Sequence, residues 1–288
     1  MIVDGRGSTC HRCGPEGVAT AGEKGGYSAD TANDGKRVPP MKKHLRLILF
    51  LTAMGFIGGV TVLPYQMSVV SEAPPLPLPL LYVASGVQTA LLAFLFGSLG
   101  FIMAEKVNLG MPVLRSWLYP QPRRSLDSKG LILAVAGGAL LSAAVVWLDQ
   151  WVFSRHIPGL NQGPAVEWWK GLLTVFYGGV VEEILMRLFF MTLLVWLLAK
   201  LFAKEKVPDT LYWIGILLSA FLFGIGHLPL AGEVFGVLTP PVILRTLLAN
   251  GLLAVLFGYL YWKKGLEYAM ISHMTADVML HVVLVRLV

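Results

Sequence analysis

The sequence predicts an all-α protein, a polytopic transmembrane helical bundle of about seven spans (six to eight), with its N-terminus in the cytoplasm. Three observations carry this. Hydrophobic residues make up 56% of the 288 positions and charged residues only 14%, whereas a soluble domain carries about 25% charge. The apolar runs have helix length, ~20 residues, rather than the short alternating pattern of a membrane barrel. Lys and Arg collect in alternate loops, as the positive-inside tendency requires.

Taken in order, residues 1–40 are polar and glycine-rich and lack apolar periodicity. They read as a disordered tail without a secretory signal. Cys10 and Cys13 lie there as CHRC. With no second half and no strand–helix context, they read as an incidental pair rather than a zinc or redox motif. At Met41 the character changes at once to MKKHLRLILFLTAMG, which marks the start of an integral membrane domain over 41–288 and suggests Met41 as the start of translation.

The first span covers about 44–70, with a break expected at Pro64, and a proline-rich turn at 72–80 ends it. The second covers 80–104. Residues 105–129 hold Arg115, Arg123, Arg124 and Lys129 together with Trp117 and Tyr119, a composition suited to an interfacial connection. The third span covers 130–152. The fourth run, 165–202, would be roughly 57 Å long as one straight helix, against a ~30 Å hydrocarbon core. Gly178–Gly179 is its natural break or kink, and the run is long enough to hide an extra turnaround. The last three spans cover 211–228, 241–262 and 266–287.

The loop charges fit this parse. Lys42, Lys43 and Arg46 precede span one, the 105–129 cluster follows span two, Lys200, Lys204 and Lys206 follow span four, and Lys263 and Lys264 follow span six. The segments 71–79 and 229–240 have no Lys or Arg. The alternation places the C-terminus outside and the protein in a membrane, a bacterial cytoplasmic membrane by its short loops. The basic residues are dispersed between spans, which excludes a nucleic-acid partner. The lipid bilayer is the partner that the composition implies.

The stretch 177–190, YGGVVEEILMRLFF, places Glu182, Glu183 and Arg187 in the middle of the fourth run. Each charge facing lipid at the bilayer centre would cost roughly 2.5–3.5 kcal/mol, so the three must face a protein interior or a cavity, which marks a functional site. Glu183 and Arg187 have the i,i+4 spacing of a helical ion pair, acid first. Glu182 points elsewhere and has no partner on its own helix. A carboxylate in such a cavity suits general-base work. His227 and His273 each fall in an otherwise apolar span, and Asp277 follows His273 by one turn, where it can orient the imidazole. His44, His156 and His281 read as satisfied polar residues. No GxSxG elbow, HExxH, Walker loop or Rossmann fingerprint is present.

Three motifs occur in order: EExxxR (Glu182, Glu183, Arg187), FxxxH (Phe223, His227) and HxxxD (His273, Asp277). Together they resemble the CPBP family of intramembrane endopeptidases, which includes the type II CAAX prenyl proteases and bacteriocin-immunity or abortive-infection proteins. The resemblance covers about 165–288. It implies hydrolysis of a peptide bond in a membrane-associated protein or peptide, either CAAX-type or bacteriocin-processing. By that likeness Glu182 and His227 activate a water, and His273 and Asp277 bind the oxyanion. Glu183 and Arg187 position the site. Asp277 departs from the asparagine of the eukaryotic enzymes. An ionised aspartate cannot donate to an oxyanion, so Asp277 either orients His273 or donates in its protonated form. A metal-free mechanism without cofactors ranks ahead of a zinc site built from Glu182, His227 and His273. Other readings are a non-catalytic immunity or scaffold protein and, below it, a proton-coupled transporter, although no internal repeat is visible.

The parse carries one difficulty. It sets His227 near the outer end of span five and His273 near the inner end of span seven, an axial mismatch on the order of 15 Å. Tilt, a kink at Gly224 or Gly226, or a re-entrant 228–240 segment would close it.

Overall fold

A computed structural model describes residues 40–70, 76–160, 166–203 and 205–287. The tail, including Cys10 and Cys13, lies outside the described residues. Among these residues there is no strand, and seven helical stretches are long and apolar enough to cross a membrane. The all-α bundle of seven spans is therefore what the chain builds.

Helix α1 (Pro40–Val69) runs unbroken through Pro64, where a break was expected. It packs along α2 (Leu78–Ala104). The contact face is made of small residues, and Thr89 Oγ1 donates to the Gly55 carbonyl at 2.7 Å, a close approach typical of membrane helices. The interfacial segment forms the short α3 (Pro112–Leu118) with Trp117 outward. Then follow α4 (Ser128–Trp151) and α5 (Trp168–Leu173).

The fourth run crosses once, with no turnaround. Its length is taken up by π-helical winding over Tyr177–Glu182 and Ile184–Met191 before α6 (Thr192–Phe202). The i→i+5 bonds of a π-helix put more residues into each turn, so the run rises less than an α-helix of equal length. At the end of the second segment the Arg187 carbonyl accepts both the Thr192 backbone N–H, five residues on, and Thr192 Oγ1 at 3.0 Å, and the Thr192 hydroxyl also pairs with the Tyr261 hydroxyl at 2.9 Å.

Helix α7 (Asp209–Gly226) stops at His227, and a separate helix α8 (Leu228–Phe235) continues from it. The last two spans are α9 (Pro240–Lys263) and α10 (Leu266–Val278), the latter extended by a π turn over Met279–Val283. The α9–α10 turn needs Gly265, whose φ of +116° is left-handed and whose Cβ position is filled by Pro112. Helix α10 is the central element, in contact with α4, α9 and the first π segment. Its start is pinned to α3 through Glu267, which accepts from Leu114 N at 2.8 Å.

The basic ends of the spans meet on one side. His44 pairs with Glu105 at 3.1 Å, Arg115 approaches the same carboxylate at 3.5 Å, and Tyr212 donates to the Val107 carbonyl at 2.8 Å. Asp127 caps α4 there by accepting from Gly130 N at 2.6 Å. That bond, followed by those from Lys264 and Tyr268, holds the Asp127 carboxyl below the usual carboxylate range.

Candidate functional site

The second π segment follows a single residue, Glu183, that is fully buried. A carboxylate at that depth is costly unless it is paired, and Glu183 is paired through one oxygen, its Oε2 being buried without a hydrogen-bond partner among the described residues. Glu183 Oε1 lies 2.9 Å from Arg187 Nη1, the i,i+4 pair that the spacing predicts. The same oxygen accepts from His273 Nδ1 at 2.7 Å. Arg187 is itself buried, donates to the Ala254 carbonyl at 3.2 Å, and is flanked by the rings of Phe223 and Phe257 at 4.9 and 5.1 Å. Phe257 also stacks on His273, with ring centres 4.5 Å apart and planes 19° apart. Two aromatic rings and one carboxylate therefore fix both the arginine and the histidine.

With Nδ1 committed to Glu183, the other ring nitrogen of His273 is turned toward Glu182 and Asp277. His273 Nε2 lies 3.6 Å from Glu182 Oε2 and 3.8 Å from Asp277 Oδ1. Both separations exceed a direct hydrogen bond and leave a gap of the kind that a small polar group bridges. Glu182 keeps part of its side chain exposed, while Glu183 has none exposed. Asp277 Oδ2 is buried without a hydrogen-bond partner among the described residues. The orientation of His273, one of the two tasks open to Asp277 in the sequence, is carried at Nδ1 by Glu183.

The backbone that forms the facing wall is Gly178. A Cβ there would run into Asp277 Oδ2 and stand 3.0 Å from His273 Nε2. Glycine is what allows the π-helix to lie against α10 at this point, and Gly179 does the same against Met274. Sequence reading took these glycines for a kink. Their role in close approach is invisible until the facing helix is known.

His227 sits at the joint between α7 and α8, with Nδ1 donating to the Phe223 carbonyl at 2.8 Å. A carbonyl only accepts, so Nδ1 carries hydrogen and the neutral ring presents Nε2 as an acceptor. Its ring packs on Phe223 at 4.5 Å, and Phe223 meets His273 edge-on at 5.9 Å. One phenyl ring thus lies between the two imidazoles, and the helix ends at His227 itself, where the sequence allows a kink or re-entrant segment to reduce the axial mismatch. Among the described residues no group of three His, Cys, Asp or Glu side chains is arranged as metal ligands. The Glu182, His227 and His273 set does not have that arrangement here.

The remaining histidines are held elsewhere. His281 pairs with the Tyr65 hydroxyl at 3.1 Å and His156 with the Val152 carbonyl at 2.9 Å. One ion pair in the membrane region was missed in the sequence. Arg245 on α9 donates to both oxygens of Asp149 on α4, at 3.0 and 2.6 Å. Each is a lone charge in an apolar run, the same signal that singled out Glu182.

Residues 164–279 match the model of a family described as type II CAAX prenyl endopeptidase Rce1-like. No curated protein and no solved structure matches the chain. The matched segment runs from just before α5 through α10 and contains Glu182, Glu183, Arg187, His227, His273 and Asp277.

Proposed function

We infer from the match of residues 164–279 to the Rce1-like type II CAAX prenyl endopeptidases that the chain is a CPBP-family intramembrane endopeptidase, and we propose that Glu182 is the general base for hydrolysis of a peptide bond in a membrane-associated protein or peptide. The observation that carries this reading is the disposition of His273, anchored at Nδ1 on Glu183 with Nε2 turned toward Glu182 and Asp277. A water between Glu182 and the scissile carbonyl gives its proton to Glu182, and the hydroxide adds to the carbonyl carbon. The resulting oxyanion accepts a hydrogen bond from the protonated Nε2 of His273, an interaction that strengthens as charge develops. Glu182 then returns the proton to the amide nitrogen as the C–N bond breaks. The products are a carboxylic acid and an amine.

His227, with Nε2 free to accept, orients the attacking water from the α7–α8 joint. Asp277 flanks the oxyanion side, and Glu183 with Arg187 holds His273 without touching substrate. The reaction proceeds without a metal in this reading. The substrate is a CAAX-like prenylated protein or a peptide processed at the membrane. The protein is an integral membrane protein, and we place it in a bacterial cytoplasmic membrane with the basic ends of its helices inside.

Purified protein in liposomes, incubated with membrane peptides, tests the mechanism. Glu182→Gln is expected to abolish cleavage, and cleavage that survives the change would sink the assignment. Activity retained after exhaustive chelation supports the metal-free route. Activity lost on chelation and restored by zinc replaces it. Comparing membrane peptides of wild-type and Glu182→Ala cells identifies the substrate.

A further inference from the structure

A cleft of about 310 Å³ opens at the basic end of the bundle, between the end of α2, the last turns of α6 and residues 203–207. Its walls include Lys106, Trp196, Lys200, Glu205 and Lys206. Lys106 Nζ lies 5.3 Å from the centre of the Trp196 ring, and Lys200 Nζ lies 4.4 Å from it. A single lysine along an indole is ordinary snorkelling at a membrane interface. Two ammonium groups drawn to one indole from separate helices repel each other, and Trp196 has no charge to offset them. Among the described residues neither is in an ion pair. Other lysines at this end are paired, Lys263 with Asp209 at 3.4 Å and Lys264 with Asp127 at 3.2 Å. With Lys206 the cleft carries, among the described residues, three cations against one carboxylate, Glu205.

We infer that this cleft is a binding site for a phosphate-bearing anion, held by Lys106, Lys200 and Lys206 with Trp196 as its apolar wall. Ammonium groups act on phosphate as compact point charges, so no planar fork is needed. Two sources carry that group, an anionic phospholipid and soluble phosphate. The surroundings favour the lipid, because tryptophan sits at headgroup level and α6 leaves Leu201 and Phe202 about three-quarters exposed beside the cleft (75% and 69%). Those side chains give acyl chains an apolar track. The site is independent of the peptidase reading.

The test uses the full chain in a mild detergent, titrated with short-chain phosphatidic acid and, separately, with inorganic phosphate at equal ionic strength. Binding is read by tryptophan fluorescence and thermal shift. Phosphatidic acid is expected to bind and to stabilise the wild type. Lys106→Gln/Lys200→Gln is expected to bind roughly thirtyfold more weakly, from ~1 kcal/mol for each basic residue near a charged membrane surface. Arg123→Gln/Lys129→Gln removes the same charge from exposed positions at this end and is expected to leave binding unchanged. Inorganic phosphate that binds with the same dependence supports the site and assigns it a soluble anion. Equal binding by wild type and Lys106→Gln/Lys200→Gln overturns the site, as does a wild type that binds neither probe.

Discussion

Glu183 Oε1 serves two partners at once, the Arg187 guanidinium at 2.9 Å and His273 Nδ1 at 2.7 Å. Glu183→Gln leaves a buried arginine without its counter-charge, and breaking a buried pair from one side costs about 3–5 kcal/mol. Thermal unfolding in detergent is expected to fall steeply for Glu183→Gln and to recover in part for Glu183→Gln/Arg187→Met, with both variants inactive. Glu182→Gln is expected to leave the unfolding temperature nearly unchanged while cleavage disappears, since Glu182 is partly exposed and has no direct hydrogen bond to lose. Gly178→Ala is expected to cost about 1–3 kcal/mol by overpacking and to depress turnover more than binding, because its methyl meets Asp277 and His273. Much of this was legible residue by residue. The Glu183–Arg187 pair follows from i,i+4 spacing alone. The Glu183–His273 bond spans 90 positions and has no local signal. For that reason the sequence offers Asp277, the acid nearest to His273 along the chain, as one candidate to orient the ring, and places Glu183 with Arg187 only in a general positioning role.

At the scale of elements, the spans were readable because their lengths and charge flanks are set by the bilayer. Their internal winding was not. The long fourth run predicts a kink at Gly178–Gly179, yet the chain absorbs the excess in two π segments. Thr192 closes the second of them, its backbone N–H and its hydroxyl both on the Arg187 carbonyl and its hydroxyl also against Tyr261 on α9. Thr192→Val is expected to lower stability by about 1–2 kcal/mol and to reduce cleavage, since the carbonyl it serves belongs to the arginine that holds Glu183. Helix α4 depends on its cap in a simpler way. Asp127→Ala is expected to cost about 1 kcal/mol. Because the folded Asp127 carboxyl lies below its unfolded value, its contribution is full above the ordinary carboxylate range, about 3.9, and fades as pH falls through the folded value. Urea or thermal melts between neutral and acid pH are expected to converge for wild type and Asp127→Ala at the acid end.

At the scale of the whole molecule, two polar clamps hold the bundle, one at the site and one at Asp149–Arg245 between α4 and α9. Asp149→Asn is expected to destabilise without touching the reacting groups, so cleavage per folded molecule stays close to wild type while the melting temperature drops. The order of the elements along the chain adds a consequence for biosynthesis. Proteins emerge from the ribosome N-terminus first, so Glu182, Glu183 and Arg187 enter the membrane well before α10. Until α10 inserts, Glu183 has only the arginine of its own helix, and His273 is absent from the site. On the proposed mechanism each newly made molecule stays inert through most of its own insertion, and neighbouring nascent chains are safe from it until its seventh helix is in place.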